Sequence, residues 1–289
     1  MTGMTGMGAF LRSHRIGIAT VVLLVAGWEI AAWLSPKTVL AQTPLVPSFG
    51  NILGESLLGM SDYWKFPFWA PITSLGGEQT YLGAFLALGW HTSLTVLRLL
   101  AGVFLGTVLG VGLGLVLSWS PFVRRAAYMP LGVMRMVPLL AMIPLFQFWV
   151  GTNTAGVISF VAMATGAVLL VGTVNSVSNV PARYVEYART LGASRLQIFA
   201  RVIVPAILPE MMSSALLVLG LAWSAVIAGE YIGIDSGLGR ILTFAQFMSN
   251  TGRMALVTLI VLALAAASNV FVRHLIRRAL EWMPESDRR

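Results

Sequence analysis

Residues 155–177 pass without one charged side chain. A helix of that length crosses the ~30 Å hydrocarbon core of a bilayer. Similar charge-poor runs recur at 16–34, 94–117, 130–150, 211–232 and 254–275. Backbone amides in lipid find no water, so a chain patterned this way must satisfy them internally, as helices. The composition points the same way. The chain is 57% hydrophobic and 10% charged, with a mean hydropathy of +0.83, whereas a soluble domain carries about 25% charged residues. A soluble enzyme is excluded. The expected fold class is all-α, a polytopic membrane protein with about six transmembrane helices.

Charge gives the expected orientation. The formal net charge is +8, which in a soluble protein would point to nucleic acid. In a bilayer protein the same charge marks the cytoplasmic face, beside anionic lipid, and no nucleic-acid partner is expected. With the N-terminus inside, the cytoplasmic pieces hold Arg12, Arg15, Arg124, Arg125, Arg183, Arg189, Arg195, Arg201, Arg273, Arg277, Arg278, Arg288 and Arg289. The outer pieces hold Lys37, Lys65, Arg240 and Arg253. Both termini are therefore expected in the cytoplasm. The first apolar run follows Arg12 and Arg15 but no small-residue cleavage site closes it, so it is expected to remain as a helix.

The expected organisation is a cytoplasmic N-terminus (1–15), a first helix (16–34), an extracytoplasmic or interfacial segment (35–91), a core of five helices (92–275) and a basic cytoplasmic tail (276–289). The segment 35–91 carries Pro36, Pro44, Pro47, Pro67 and Pro71 and the aromatic cluster Tyr63, Trp64, Phe66, Phe68 and Trp69. Short helices at the membrane surface are expected there, either as an anchor or as added contact area for a partner. Pro130, Pro138 and Pro144 predict that the span 130–150 is kinked or broken.

Chemistry is scarce. There is no cysteine, and His14, His91 and His274 stand far apart, so no metal site is expected. A P-loop needs Gly-Lys followed by Ser or Thr. The two lysines are Lys37 and Lys65, and Pro36 stands where the glycine should be. The chain has no catalytic site and no cofactor of its own in this reading.

The most informative stretch is polar, residues 178–209. Arg183, Glu186, Thr190, Ser194, Gln197 and Arg201 recur every three or four residues and form one helical stripe. Tyr184, Tyr187, Ala188, Leu191, Ile198 and Val202 lie opposite, and Gly192 offers a bend. Such a segment either rests on its own membrane domain or docks a soluble partner.

This stretch resembles the EAA loop of ATP-binding cassette importer permeases, whose pattern is Glu-Ala-Ala, three residues, Gly, nine residues, Ile-x-Leu-Pro. Glu186, Ala188, Gly192 and Pro205 match at the right spacing, with Tyr187, Val202 and Val204 as departures. The text around it, Ala188 to Ser194, Val204 to Pro209, Ala222-Trp223, Gly229-Glu230 and Ser236-Gly-Leu-Gly239, is similar to the nitrate, sulfonate and taurine branch. The similarity covers residues 90–280 or so. It implies a type I importer-like permease in a bacterial inner membrane, working as a dimer, expected to be of two identical copies. Two separate ATPase subunits would hold ATP and Mg, and an extracytoplasmic binding protein would deliver a small oxyanion or organic acid such as a sulfonate. Glu186, Tyr187, Ala188, Gly192, Ala193, Ser194 and Pro205 would form the coupling element.

Two further patterns stand out. Gly102, Gly106, Gly110 and Gly114 fall on one helix face and predict close helix packing, within the chain or against a second copy. Glu230 lies within an apolar span, at a cost of roughly 2.5–3.5 kcal/mol on insertion scales, so it must face protein or a wet path. It is either a gate residue or a buried partner of Arg98 or Arg240. Trp223, Arg135, Gln147 and Asn175 are weaker pathway candidates. The rival class is an ion-driven secondary transporter, for which Glu29 and Glu230 are the available intramembrane carboxylates.

Overall fold

The computed structural model describes residues 15–37, 44–134, 136–231 and 233–281. Helix α1 spans Arg15–Leu34, α2 Tyr81–Ser118, α3 Pro121–Met134, α4 Ile143–Trp149 and α5 Thr154–Asn179. Then follow α6, Ala182–Thr190, α7, Arg195–Tyr231, α8, Leu238–Phe247, and α9, Thr251–Ala279. Among the described residues there is no strand, only an isolated bridge between Lys37 and Pro44. The fold is all-α. By length and composition α2, α5, α7 and α9 can cross a membrane; Ala19–Leu34 and Leu139–Trp149 are shorter apolar helical stretches.

Two helices start earlier than expected and one span is broken as expected, each for a local reason. Helix α2 starts at Tyr81, so residues 81–91 belong to it and not to the outer segment; the Thr80 hydroxyl caps it by accepting the Gly83 amide at 3.1 Å. The span 130–150 is broken as its prolines predict: α3 ends at Met134, a 3₁₀ turn covers Leu139–Met142 after Pro138, and α4 begins beside Pro144. Helix α7 starts at Arg195, well before 211. It passes Pro205 by way of a π-turn over Phe199–Ile203, where the Val204 amide bonds the Phe199 carbonyl. Pro205 has no amide for the Arg201 carbonyl, and the wider turn lies directly before it.

The chain divides into two compact units, residues 1–88 with 242–258, and 89–241 with 259–289. In the first, the segment after α1 is tied down by polar groups. Glu29 Oε1 accepts the Phe49 amide at 2.7 Å, and Trp28 Nε1 donates to the Pro47 carbonyl at 2.8 Å. The start of α9 holds the same segment: Thr251 donates to the Pro44 carbonyl at 2.6 Å, and Arg253 pairs with Asp62 at 2.6 Å while lying over the Tyr63 ring. Trp64, Phe66, Phe68 and Trp69 contact one another in succession, with centroids 5.1, 5.5 and 5.3 Å apart; the middle pair is stacked and the outer two meet edge to face. The expected short helices are present at Phe49–Asn51, Gly59–Tyr63 and Thr73–Leu75.

The second unit is built around α5. In its most apolar stretch α5 is 67% buried, against 11% for α7 and α9. Its Val157, Phe160, Val161 and Ala164 pack with Leu99 of α2 and Ala222, Trp223, Ala225 and Val226 of α7. The glycine face of α2 seats directly on α5. A Cβ at Gly102 would meet Val161, one at Gly106 the Thr165 side chain and the Gly166 amide, one at Gly110 the Gly166 backbone, and one at Gly114 the Thr173 side chain. The two backbones therefore meet at a distance that side chains forbid. The partner of this face is the chain's own α5. Gly112, off the face, has open space beyond it.

Gly110→Leu should therefore lower stability by about 1–3 kcal/mol or more, the usual cost of overpacking, while Gly112→Leu should change it by less than about 0.5 kcal/mol. Thermal unfolding in detergent measures both; equal effects would contradict the seam.

Candidate functional site

Two polar constructions stand out from the apolar bundle. The first is the turn between α6 and α7. Helix α6 ends in a two-bond C-cap: the Gly192 amide donates to the Arg189 carbonyl at 2.9 Å and the Ala193 amide to the Ala188 carbonyl at 3.0 Å. Gly192 takes φ +79°, a left-handed conformation that a side chain strains. The next helix starts at once. The Ser194 hydroxyl accepts the Gln197 amide at 3.4 Å, and Gln197 Oε1 accepts the Ser194 amide at 2.8 Å, a complete capping box. The run from Ala188 to Gln197 thus encodes one stop and one start, and both helix ends are satisfied without a partner.

That turn presents an apolar ridge to its surroundings. Tyr187 is 67% exposed and Leu191 86%, with Tyr184 and Leu196 also exposed. Glu186, Gly192 and Ser194 are exposed; Ala188, Ala193 and Pro205 are half-buried. Tyr184, Tyr187 and Leu191, half of the face expected to be apolar, do not rest on the chain's own membrane core, whereas Ile198 is buried.

The second construction centres on Glu230, which is fully buried. Arg98 Nη1 donates to Glu230 Oε1 at 2.7 Å. Oε2 accepts from the Thr95 hydroxyl at 2.8 Å and from the Gly239 amide at 3.1 Å. Arg98 also donates to the Ser236 carbonyl (2.8 Å), the Ser236 hydroxyl (2.7 Å) and the Thr154 hydroxyl (3.2 Å). The Leu238 amide donates to Thr95 at 2.9 Å, and the Gly237 amide to His91 Nδ1 at 2.9 Å. The same Nδ1 lies 3.2 Å from the Gly237 carbonyl, so the ring is held against both backbone groups of that residue. Gly237, at φ +108°, lies against the Glu230 carboxylate, where a Cβ would collide with it. The network ties α2, the start of α5, the end of α7 and the turn into α8 together. His91, Thr95 and Arg98 share one helix face by their spacing of four and three, a signal obscured by placing residue 91 outside the helix.

The remaining candidates lie apart from this network. Trp223 is buried, and its indole donates to Ser268 Oγ at 2.9 Å, joining α7 to α9. Gln147 lines a small recess with Thr152, Asn153 and Gly229. Asn175 is on the exposed side of α5. Arg135 lies outside the described residues. No group of His, Cys, Asp and Glu able to hold a metal occurs among the described residues.

Residues 102–281 match the family model described as binding-protein-dependent transport system inner membrane component. The chain belongs to that family. The match takes in both polar constructions' loops, from within α2 through α9, and leaves out residues 35–91. SsuC of Bacillus subtilis (strain 168), a permease named for aliphatic sulfonates transport, is 30% identical over 192 residues, 66% of this chain and 70% of that protein. The taurine transport system permease protein TauC of Escherichia coli (strain K12) is 29% identical over 216 residues, 74% and 77% of the two chains. A chain of the MetNI methionine ABC transporter, solved in inward-facing conformations, superimposes with a TM-score of 0.57 at 21% identity, covering 67% of this chain and 96% of that one. At that identity the likeness speaks for the fold. The protein is a membrane-embedded permease component of an ABC importer.

A buried ion pair that loses one member leaves the other uncompensated, at about 3–5 kcal/mol. Arg98→Met and Glu230→Leu should each destabilise the purified permease on that scale. The double variant should cost clearly less than the sum, and additive losses in thermal unfolding would contradict the pairing.

Proposed function

We propose that this chain forms the translocation pathway of an importer for a small organic acid or oxyanion, with a sulfonate as the leading class. Two copies pair in a bacterial inner membrane, each crossing it about six times with both termini in the cytoplasm. An extracytoplasmic binding protein delivers the solute, and two ATPase subunits carry ATP and Mg. The solute class rests on the sulfonate and taurine names of the relatives.

The observation that carries the proposal is the turn at Gly192. The two helix ends that meet there are capped, yet Tyr187 and Leu191 are exposed on a segment that also carries Arg183, Arg189 and Arg195. A pre-formed knob with an apolar tip suits a groove on a soluble subunit, and its ordering entropy is spent before docking. When the ATPase pair closes, such a knob moves as a rigid body. The π-turn at Phe199–Ile203 sits where that movement enters α7. An ion-driven transporter has less to draw on: Glu29 bonds the Phe49 amide, and Glu230 is consumed by Arg98, Thr95 and Gly239.

Co-expression with the cognate ATPase tests this. The wild type should retain the ATPase on purification and stimulate its hydrolysis. Gly192→Val, strained at positive φ by roughly 1–3 kcal/mol yet with nothing within 4 Å to disturb, should lose retention or stimulation while the membrane core melts as before. A wild type that retains no ATPase, or a Gly192→Val variant with full stimulation, overturns the proposal.

A further inference from the structure

An arginine-lined cleft opens where α2, α3, α5 and the α6–α7 turn come together. Its volume is about 410 Å³, and Arg124, Arg189, Arg195, Glu186, Trp119 and Ser178 line it. Arg124 and Ser178 also line an adjoining recess of about 300 Å³ with Arg125. Arg124 is half-buried, and no ion pair engages Arg124, Arg189 or Arg195 among the described residues. Arg189, Arg195 and Glu186 are exposed at its mouth, and even with Glu186 counted the cleft carries a surplus of positive charge that favours an anion.

A second cavity begins one helical turn away. It is an apolar groove of about 370 Å³ lined by Val103, Thr107, Val111 and Leu115 of α2 and by Met211 and Ala215 of α7, among others. The four α2 residues are each four apart and so form a single stripe, whose next member is Trp119, in the cleft. On α7 the cleft ends at Ile203 and the groove starts at Val204. From Val103 to Leu115 the groove runs about 18 Å, a little more than one leaflet of a ~30 Å hydrocarbon core.

An apolar slot of leaflet length with arginines at one end has the chemistry of a single amphiphile. We infer that this groove and cleft bind one anionic phospholipid of the leaflet on the arginine side, an acyl chain along Val103–Leu115 and the phosphate among Arg124, Arg189 and Arg195. The phosphate's multiple acceptor oxygens suit several guanidinium forks at once. The topology proposed above serves only to name that leaflet cytoplasmic. No step of the inference needs the ATPase, so it stands or falls independently of the coupling proposal.

The test uses the whole permease reconstituted in phosphatidylcholine nanodiscs with a trace of phosphatidylglycerol bearing a photoactivatable acyl chain. Crosslinks mapped by mass spectrometry should concentrate on the groove face of α2 and α7. Unlabelled phosphatidylglycerol should compete, and phosphatidylcholine or inorganic phosphate should not. Arg124→Gln with Arg195→Gln should weaken labelling by about five-fold for each arginine. Val111→Trp, which fills the groove and keeps the arginines, should abolish groove labelling and serves if the double variant folds poorly. Label spread evenly over all lipid-facing helices, equal competition by phosphatidylcholine, displacement by inorganic phosphate alone, or crosslinks from the groove to a second copy of the chain would each overturn the assignment.

Discussion

A guanidinium and a carboxylate sit side by side inside an apolar helix bundle, and the membrane makes that arrangement binding on everything near it. Neither charge can find water, so each must be met by protein, and the structure meets both. Glu230 accepts from Arg98, Thr95 and the Gly239 amide, while the Arg98 Nη groups also reach Ser236 and Thr154 and its buried Nε is left without a partner. One buried pair thereby fixes four segments that are distant in sequence. Such a pair is weak evidence for stability as such, since a well-packed apolar substitute often serves as well. Its contribution is geometric: Ser236, Gly237, Leu238 and Gly239, in the turn that leads into α8, are held in place by bonds to Arg98, His91, Thr95 and Glu230.

The glycine seam acts by the opposite means. Along Gly102, Gly106, Gly110 and Gly114 there is nothing to bond, and contact comes from the absence of side chains against Val161, Thr165, Gly166 and Thr173. Lipid supplies no hydrophobic push between helices, so close packing and polar ties must do the work. The seam joins α2 to α5, and further along α2 the ion pair joins it to α7. A bundle fastened in this way transmits a push at one end as rigid-body motion, as the proposed coupling turn requires. That turn is stiff for its own reasons: its caps are complete before any partner arrives.

Much of this was legible in the sequence because periodicity and punctuation are local. The apolar runs, the broken span at Pro138 and Pro144, the glycine face and the helical stripe around Glu186 all follow from spacing within a few turns. Helix starts were less legible. Thr80 and Ser194 are ordinary capping residues, but hydropathy windows overlook caps, so α2 and α7 were expected to be shorter than they are. The partner of the glycine face, and the choice between Arg98 and Arg240 for Glu230, depend on contacts across 56 to 132 positions, which no local rule reaches. Trp223 was open to a pathway role on composition, yet its indole is engaged by Ser268. The exposure of Tyr187 and Leu191 was also out of reach, because an amphipathic pattern shows that a face is apolar and not what covers it.

The central claim is that the exposed tip at Leu191 enters a separate ATPase subunit. The chain has no cysteine, so Leu191→Cys creates a unique thiol. Membranes holding that variant and an ATPase with single cysteines around its surface groove can be oxidised and resolved on a non-reducing gel. The account predicts a disulfide-linked permease–ATPase species whose yield changes when ATP is added, and none from a cysteine placed at Leu217, an exposed apolar residue within α7. A Leu191→Cys permease that crosslinks to no ATPase position, or no better than Leu217→Cys, would contradict it.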